Sequence, residues 1–205
     1  MSVAEAETTG GNVYDKYGSH NPVERRLVRG FCDELERLAI GTGAREVHEV
    51  GCGEGELLLR LARRGLRARG SDISEAVIDE AHRRAGAAQL DVSFRVAPIE
   101  ALDPSEDSAE LILCCEVMEH VGDPEAALEI VAGLASPWAI VSVPREPLWR
   151  ALNLGRLKYV RDLGNTPGHL QHWSRRSFLG FLEGRLEVVA VRSPVPWTMA
   201  LCRSS

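Results

Sequence analysis

The chain has 205 residues, with 24 Lys and Arg against 30 Asp and Glu and a formal charge of −6. Its 44% hydrophobic and 26% charged content is ordinary globular usage, which excludes a fibrous or disordered reading. The acidic balance argues against affinity built on a broad phosphate-neutralising surface, and no apolar run approaches the roughly 18–20 residues of a membrane span.

The opening MSVAEAETTGG has no basic or apolar stretch of the kind a secretory leader carries. Asn21-Pro22 then signals a helix start, Asn as cap and Pro in the first turn. Leu27, Val28, Phe31, Leu35 and Leu38 repeat at helical spacing up to Ile40. Residues 1–42 thus read as an N-terminal cap segment and helix. Strands are expected at 45–51, 67–73, 92–98, 110–117, 138–144, 186–193 and 197–202. Helices are expected at 55–65, from Ser74 to about Gly86, from Asp123-Pro124 onward and at 174–184. This alternation defines an α/β fold, a mostly parallel seven-stranded sheet with helices on both faces, in a single domain over 1–205. Such sheets bind ligands beyond the carboxyl ends of their strands. Residues 145–173 are too long for an ordinary connection and read as an inserted lid over the substrate.

Five cysteines, Cys32, Cys52, Cys114, Cys115 and Cys202, show no C-x-x-C spacing. They are expected as free thiols, as in a reducing cytoplasm, the expected location.

The first strand ends in EVGCGEGEL, with Glu49, Gly51, Cys52, Gly53 and Gly55. A glycine turn between strand and helix lets a ligand approach the backbone. Twenty-one residues after Gly51, Asp72 closes the second strand, where a carboxylate can take both hydroxyls of a ribose. The dinucleotide pattern needs a further glycine inside the helix, but Glu56-Leu57-Leu58 stands there. E-x-G-C-G-x-G followed by GSDIS resembles the first two motifs of class I S-adenosylmethionine-dependent methyltransferases, which have a Rossmann-like fold. The resemblance implies S-adenosylmethionine as cofactor, its aminoacid end on the glycine loop, its ribose on Asp72 and its adenine against Ile73. Ile99, Glu100 and Cys115 join the cofactor site by the same resemblance. Tyr14, Lys16 and Tyr17 resemble the segment that often closes over the cofactor.

After the fourth strand comes CCEVMEHVGDP. Glu116, Glu119 and His120 would share one face if these residues form a helical turn. Converging carboxylates repel unless one is protonated or a cation joins them. Two carboxylates and an imidazole suit Zn, Mn or Fe, and with water Mg. The long segment offers a fourth ligand, His169 or His172. E-x-x-E-H with a later His before Trp173-Ser174-Arg175 resembles two metal-using branches of the family. They are the ubiquinone-pathway catechol O-methyltransferases and the small-RNA 3′-terminal 2′-O-methyltransferases, and the spacing in the latter favours His169. Glu116, Glu119, His120 and His169 are therefore the candidate metal ligands. Glu119, His120 and His169 are also the candidate catalytic groups, either imidazole serving as general base if no metal binds.

A metal that lowers hydroxyl pKa fits an oxygen acceptor, best a catechol or vicinal diol. The expected activity is O-methylation of a small hydroxylated molecule. RNA 3′-end methylation and a non-catalytic cofactor-binding partner subunit are the alternatives. In the lid, Arg145, Arg150, Arg156, Lys158 and Arg161 interleave with Trp149 and Tyr159. They read either as contacts to an anionic substrate or as the solvated face of an amphipathic helix.

Overall fold

The computed structural model describes residues 21–155, 166 and 168–204. Helix α1 (Pro22–Gly41) starts as its sequence dictates. The Asn21 side chain accepts the Val23 N–H at 2.9 Å and Pro22 occupies the first turn. There follow β1 (Glu46–Val50), α2 (Glu56–Ala62), β2 (Arg67–Asp72), α3 (Glu75–Ala88) and β3 (Val92–Val96). A 3₁₀ turn (Ile99–Ala101), the short α4 (Pro104–Asp107), β4 (Ala109–Cys115), α5 (Pro124–Leu134) and β5 (Ala135–Pro144) come next. The described chain closes with α6 (Leu148–Gly155), α7 (Arg175–Leu182), β6 (Glu187–Arg192) and β7 (Trp197–Arg203).

All seven expected strands are present, in one sheet of order β3-β2-β1-β4-β5-β7-β6. The pairs from β3 to β5 are parallel, and β7 runs antiparallel to both β5 and β6. The sheet is covered on both faces. Phe31 and Leu35 of α1, Leu58 and Leu61 of α2 and Ile78 of α3 pack one side. Leu128 and Val131 of α5 and Phe178 and Leu182 of α7 pack the other. This double burial explains the near-continuous apolar run of β4, in which only Glu110 is not buried.

Some boundaries differ from the sequence reading. The 3₁₀ turn and α4 were not foreseen, although Asp103-Pro104 repeats the cap signal of Asn21-Pro22. The Asp103 side chain accepts the Ser105 N–H at 2.7 Å. β5 begins at Ala135 rather than 138, directly after α5. None of the five cysteines is in a disulfide, and all are buried. The chain passes from β1 to β2 on one side and reaches β4 on the other. The carboxyl ends of β1 and β4 therefore flank the point where the strand order reverses, the place for a ligand.

His48 on β1, which the sequence reading passed over as an ordinary strand residue, is almost wholly buried. Its Nδ1 is 2.8 Å from the Asp107 carbonyl and its Nε2 3.1 Å from the Ser71 hydroxyl. A carbonyl only accepts, so Nδ1 donates. Burial favours the neutral ring, in which Nε2 accepts from Ser71. Burial lowers its pKa, and the Asp107 carbonyl opposes that shift only in part. The unfolded imidazole, with pKa about 6.5, binds a proton that native His48 refuses. Its contribution to stability is therefore complete above about pH 6.5 and is lost as pH falls below it. Thermal unfolding from pH 8 to pH 5 should show this decline in the wild type. His48→Gln should be less stable at pH 8 by about 1–3 kcal/mol, a buried bond being lost, and should show a shallower decline. Equal slopes in the two proteins would refute the assignment.

Candidate active site

The glycine loop after β1 is held by backbone bonds from Gly51 N–H (2.8 Å) and Cys52 N–H (3.0 Å) to the Ser71 carbonyl of β2. Gly51 has φ +70°, and a Cβ there would clash with a methyl of Val117. Gly53 has φ +51°, and a Cβ there would meet nothing within 4 Å. One glycine is thus needed for packing, while the other presents bare backbone to open space, as a cradle for a ligand requires.

Asp72, only 7% exposed, accepts the Gly53 N–H (2.9 Å) on one carboxylate oxygen and the Ser74 N–H (3.0 Å) on the other. It ties the loop to the end of β2 and orients both oxygens. Ile73, beside it, is 57% exposed, and Ile99 is buried below the exposed Glu100. Glu49 is buried near the end of β1. Burial, reinforced by the charges of Glu49 and Asp72, pushes the Cys52 thiol far up. Burial, with the Glu49 charge second, does the same to Cys115. Both remain neutral packing groups.

Beyond β4 the structure corrects the expected helical turn. Residues 116–120 are not α-helical, and Glu116 has φ +62°, a left-handed conformation that costs a non-glycine residue about 1–2 kcal/mol. The Glu116 N–H is held by the Ser142 carbonyl at 3.1 Å. Its carboxylate accepts the Trp197 indole N–H at 2.6 Å and faces the Ser142 hydroxyl at 3.5 Å. The i, i+3, i+4 geometry that placed Glu116 with its neighbours is therefore absent.

Glu119, His120 and His169 do come together, each offering a donor atom within 4.8 Å of the others. Glu119 is 1% exposed. Its carbonyl accepts the N–H groups of Leu170 (2.7 Å) and Gln171 (3.1 Å), which brings the distant segment onto β4's end. His120 Nδ1 lies 2.9 Å from the Gly168 carbonyl, so Nδ1 donates, and in the neutral ring Nε2 carries the lone pair. The His120 and His169 rings meet edge to face, with centroids 4.9 Å apart. His172 is exposed and stands outside this group. Glu116 is not a member of it either, so among the described residues the donor set is one carboxylate and two imidazoles.

Sequence reasoning missed three supporting side chains: Val117 under Gly51, Trp197 on Glu116, and Trp149 on His169, whose rings lie 6.0 Å apart. Nothing in the local sequence signals these contacts, because each joins distant segments. Tyr14, Lys16 and Tyr17, and Arg156, Lys158, Tyr159 and Arg161 of the lid, lie outside the described residues. Of the remaining lid cations, Arg150 sits 3.9 Å from Glu146.

Residues 47–137 match the family model described as a methyltransferase domain. The ubiquinone biosynthesis O-methyltransferase of Alkalilimnicola ehrlichii is 30% identical over 161 residues, 72% of this chain and 65% of that relative. The ubiquinone biosynthesis O-methyltransferase of Coxiella burnetii is 37% identical over 93 residues, 45% of this chain and 40% of its own length. The chain thus spans less than two thirds of the length of these curated relatives. The magnesium protoporphyrin IX methyltransferase of Synechocystis PCC 6803, solved with bound SAH, shares the fold at TM-score 0.72. It is 22% identical, and the match covers 93% of this chain and 91% of that one. The matched methyltransferase domain, the curated relatives and the shared fold all support a class I S-adenosylmethionine-dependent methyltransferase.

The two loop glycines should respond differently to alanine. Gly53→Ala should cost about 1–2 kcal/mol, the penalty of a left-handed backbone alone. Gly51→Ala should cost about 1–3 kcal/mol more, because Val117 must be displaced. Urea unfolding of the two variants measures the difference. Equal losses would mean that Val117 does not enforce glycine at 51.

Proposed function

We propose that the protein transfers the methyl group of S-adenosylmethionine to an oxygen of a small hydroxylated acceptor, a catechol or vicinal diol. We propose further that a divalent metal ion assists, held by Glu119, His120 and His169. The observation that carries this reading is the convergence of those three donors within 4.8 Å, beside the end of β4. The O-methyltransferase names of the curated relatives support oxygen as the acceptor atom.

The donor set fits a metal. Two imidazoles and one carboxylate are preferred by Zn, Mn and Fe(II), whereas Mg favours oxygen donors alone. Glu119 is almost fully buried, where a bound cation would neutralise its carboxylate. The Gly168 carbonyl fixes the tautomer of His120 and leaves its Nε2 as the donor, the kind of outer support that metal-ligating histidines carry. Glu116, engaged by Trp197, belongs to the wall of the acceptor pocket in this reading. The cofactor also fits. Gly53 leaves open space, and Asp72 has lone pairs beyond its two backbone bonds for the ribose hydroxyls.

Methyl transfer from a sulfonium is an in-line displacement in which the donor is already activated, so the protein's work is alignment. Asp72 and the Gly53 backbone hold the nucleoside and aminoacid parts on the β1–β2 side. Glu119, His120 and His169 hold the acceptor hydroxyls on the β4 side. A divalent ion held by Glu119, His120 and His169 would supply Lewis acidity, lowering the pKa of a hydroxyl beside it.

Calorimetry of Mn²⁺, Mg²⁺ and Zn²⁺ against chelator-stripped protein containing S-adenosylhomocysteine tests the donor set. One ion per chain should bind to the wild type, and Glu119→Ala and His169→Ala should each lose it. The absence of binding to the wild type would overturn the metal reading. Methyl transfer to a panel of catechols and vicinal diols tests the acceptor, and turnover confined to RNA 3′ ends would replace it. Cofactor binding with no turnover on either would indicate a non-catalytic partner. Asp72→Asn should weaken S-adenosylhomocysteine binding at least about tenfold, about 1.4 kcal/mol. Unchanged affinity would remove Asp72 from the cofactor site.

A further inference from the structure

We infer that Trp149 is a positioning residue, a joint that fixes the His169 imidazole and, through Trp197, the Glu116 carboxylate at the acceptor side of the site. The inference rests on the reading of Glu119, His120 and His169 as a donor set, and it assigns a role to a side chain that touches none of the reacting atoms.

Trp149 stands in the first turn of α6. Its ring lies against that of His169, with centroids 6.0 Å apart and planes within 28°, inside the range of favourable offset stacking. Its indole N–H donates to the Thr166 hydroxyl at 2.9 Å, and the Thr166 carbonyl accepts the His169 N–H at 3.1 Å. One side chain therefore grips both the ring of His169 and the turn that carries it. On its other side Trp149 meets Trp197, with centroids 5.9 Å apart. Trp197 in turn packs on Phe31 of α1 at 5.0 Å and donates its N–H to Glu116. A continuous row of rings thus runs from the buried core to the site.

An imidazole free to rotate about its Cβ–Cγ bond presents its nitrogens in many directions. His120 is held by the Gly168 carbonyl. His169 is bracketed between the edge-on ring of His120 and the face of Trp149. Removing the Trp149 face widens the angular range of His169, and a ligand so loosened binds metal more weakly. The main-chain anchor of α6 agrees with this role. Trp149 N–H bonds the Arg145 carbonyl at 2.9 Å, and Arg145 N–H bonds the Pro196 carbonyl, adjacent to Trp197.

The test compares the wild type with Trp149→Leu, Trp149→Phe and Thr166→Val. Circular dichroism and calorimetry with S-adenosylhomocysteine serve as controls and should be unchanged, since Trp149 contacts none of the residues assigned to the cofactor. In metal-free protein, NMR of the His169 ring protons, assigned through His169→Gln, should show an upfield ring-current shift that Trp149→Leu abolishes. Titration with Co²⁺ alone, followed by its visible ligand-field bands, should show affinity about 10–100-fold lower in Trp149→Leu, as for lost outer support of a ligand. Trp149→Phe, which keeps a ring face, should lose less, and Thr166→Val should weaken binding without removing the ring-current shift. Wild-type Co²⁺ affinity in Trp149→Leu, or no ring-current shift in the wild type, would overturn the inference. A wild type that binds no Co²⁺ but shows the shift would overturn the donor set instead, while supporting Trp149 as the group that orients His169.

Discussion

A methyl group of Val117 fills the space that a side chain at position 51 would need. This contact joins the two halves of the site. It exists because β1 and β4 are parallel neighbours, paired in register from Val47↔Leu111 to Val50↔Cys114, so both chains leave the sheet at the same edge. The glycine loop can pass over the residues that follow β4 only if it carries no Cβ at that point. The loop that carries Gly53, tied to Asp72, and the segment that carries Glu119 and His120 thus both lie at the carboxyl edge of the sheet. The proposed methyl transfer needs donor and acceptor held on opposite sides of the line along which the group moves.

The acceptor side is assembled differently. His120 follows β4, but His169 comes from almost fifty residues away. Backbone bonds from the Leu170 and Gln171 N–H groups to the Glu119 carbonyl, and the bond from the His120 ring N–H to the Gly168 carbonyl, join the two segments. Glu119 thus contributes through its backbone as well as through its carboxylate. The row of rings from Phe31 through Trp197 and Trp149 to His169 ties that segment to the core. A site built partly on a long connection needs such support, because loop backbone alone does not hold a ligand atom to within a fraction of an ångström.

Glu116 shows why sequence spacing alone is insufficient. Residues at i, i+3 and i+4 share a face only on a helix. The chain instead turns through a left-handed conformation at Glu116, so this carboxylate departs from the other two groups and meets Trp197. The sequence pattern E-x-x-E-H was legible, whereas the backbone conformation that separates its first member depended on β5 and β7, which supply Ser142 and Trp197. His48 is a parallel case. Its spacing within β1 suits any buried strand residue, and only the approach of Asp107 and Ser71 makes an imidazole suitable there.

The sequence by itself determined the alternation of strands and helices, the glycine loop, the strand-end acid at 72 and the pairing of an E-H dipeptide with a later histidine. These are local properties, set by hydrophobic period, turn chemistry and capping, and they suffice to define a doubly covered parallel sheet with its ligand edge. Tertiary structure alone decided which of the four proposed ligands converge, which histidine of 169 and 172 joins them, and which aromatic rings brace them. Those outcomes depend on contacts between residues tens of positions apart, and side-chain direction at such contacts is fixed by packing and backbone dihedral angles that no local pattern encodes.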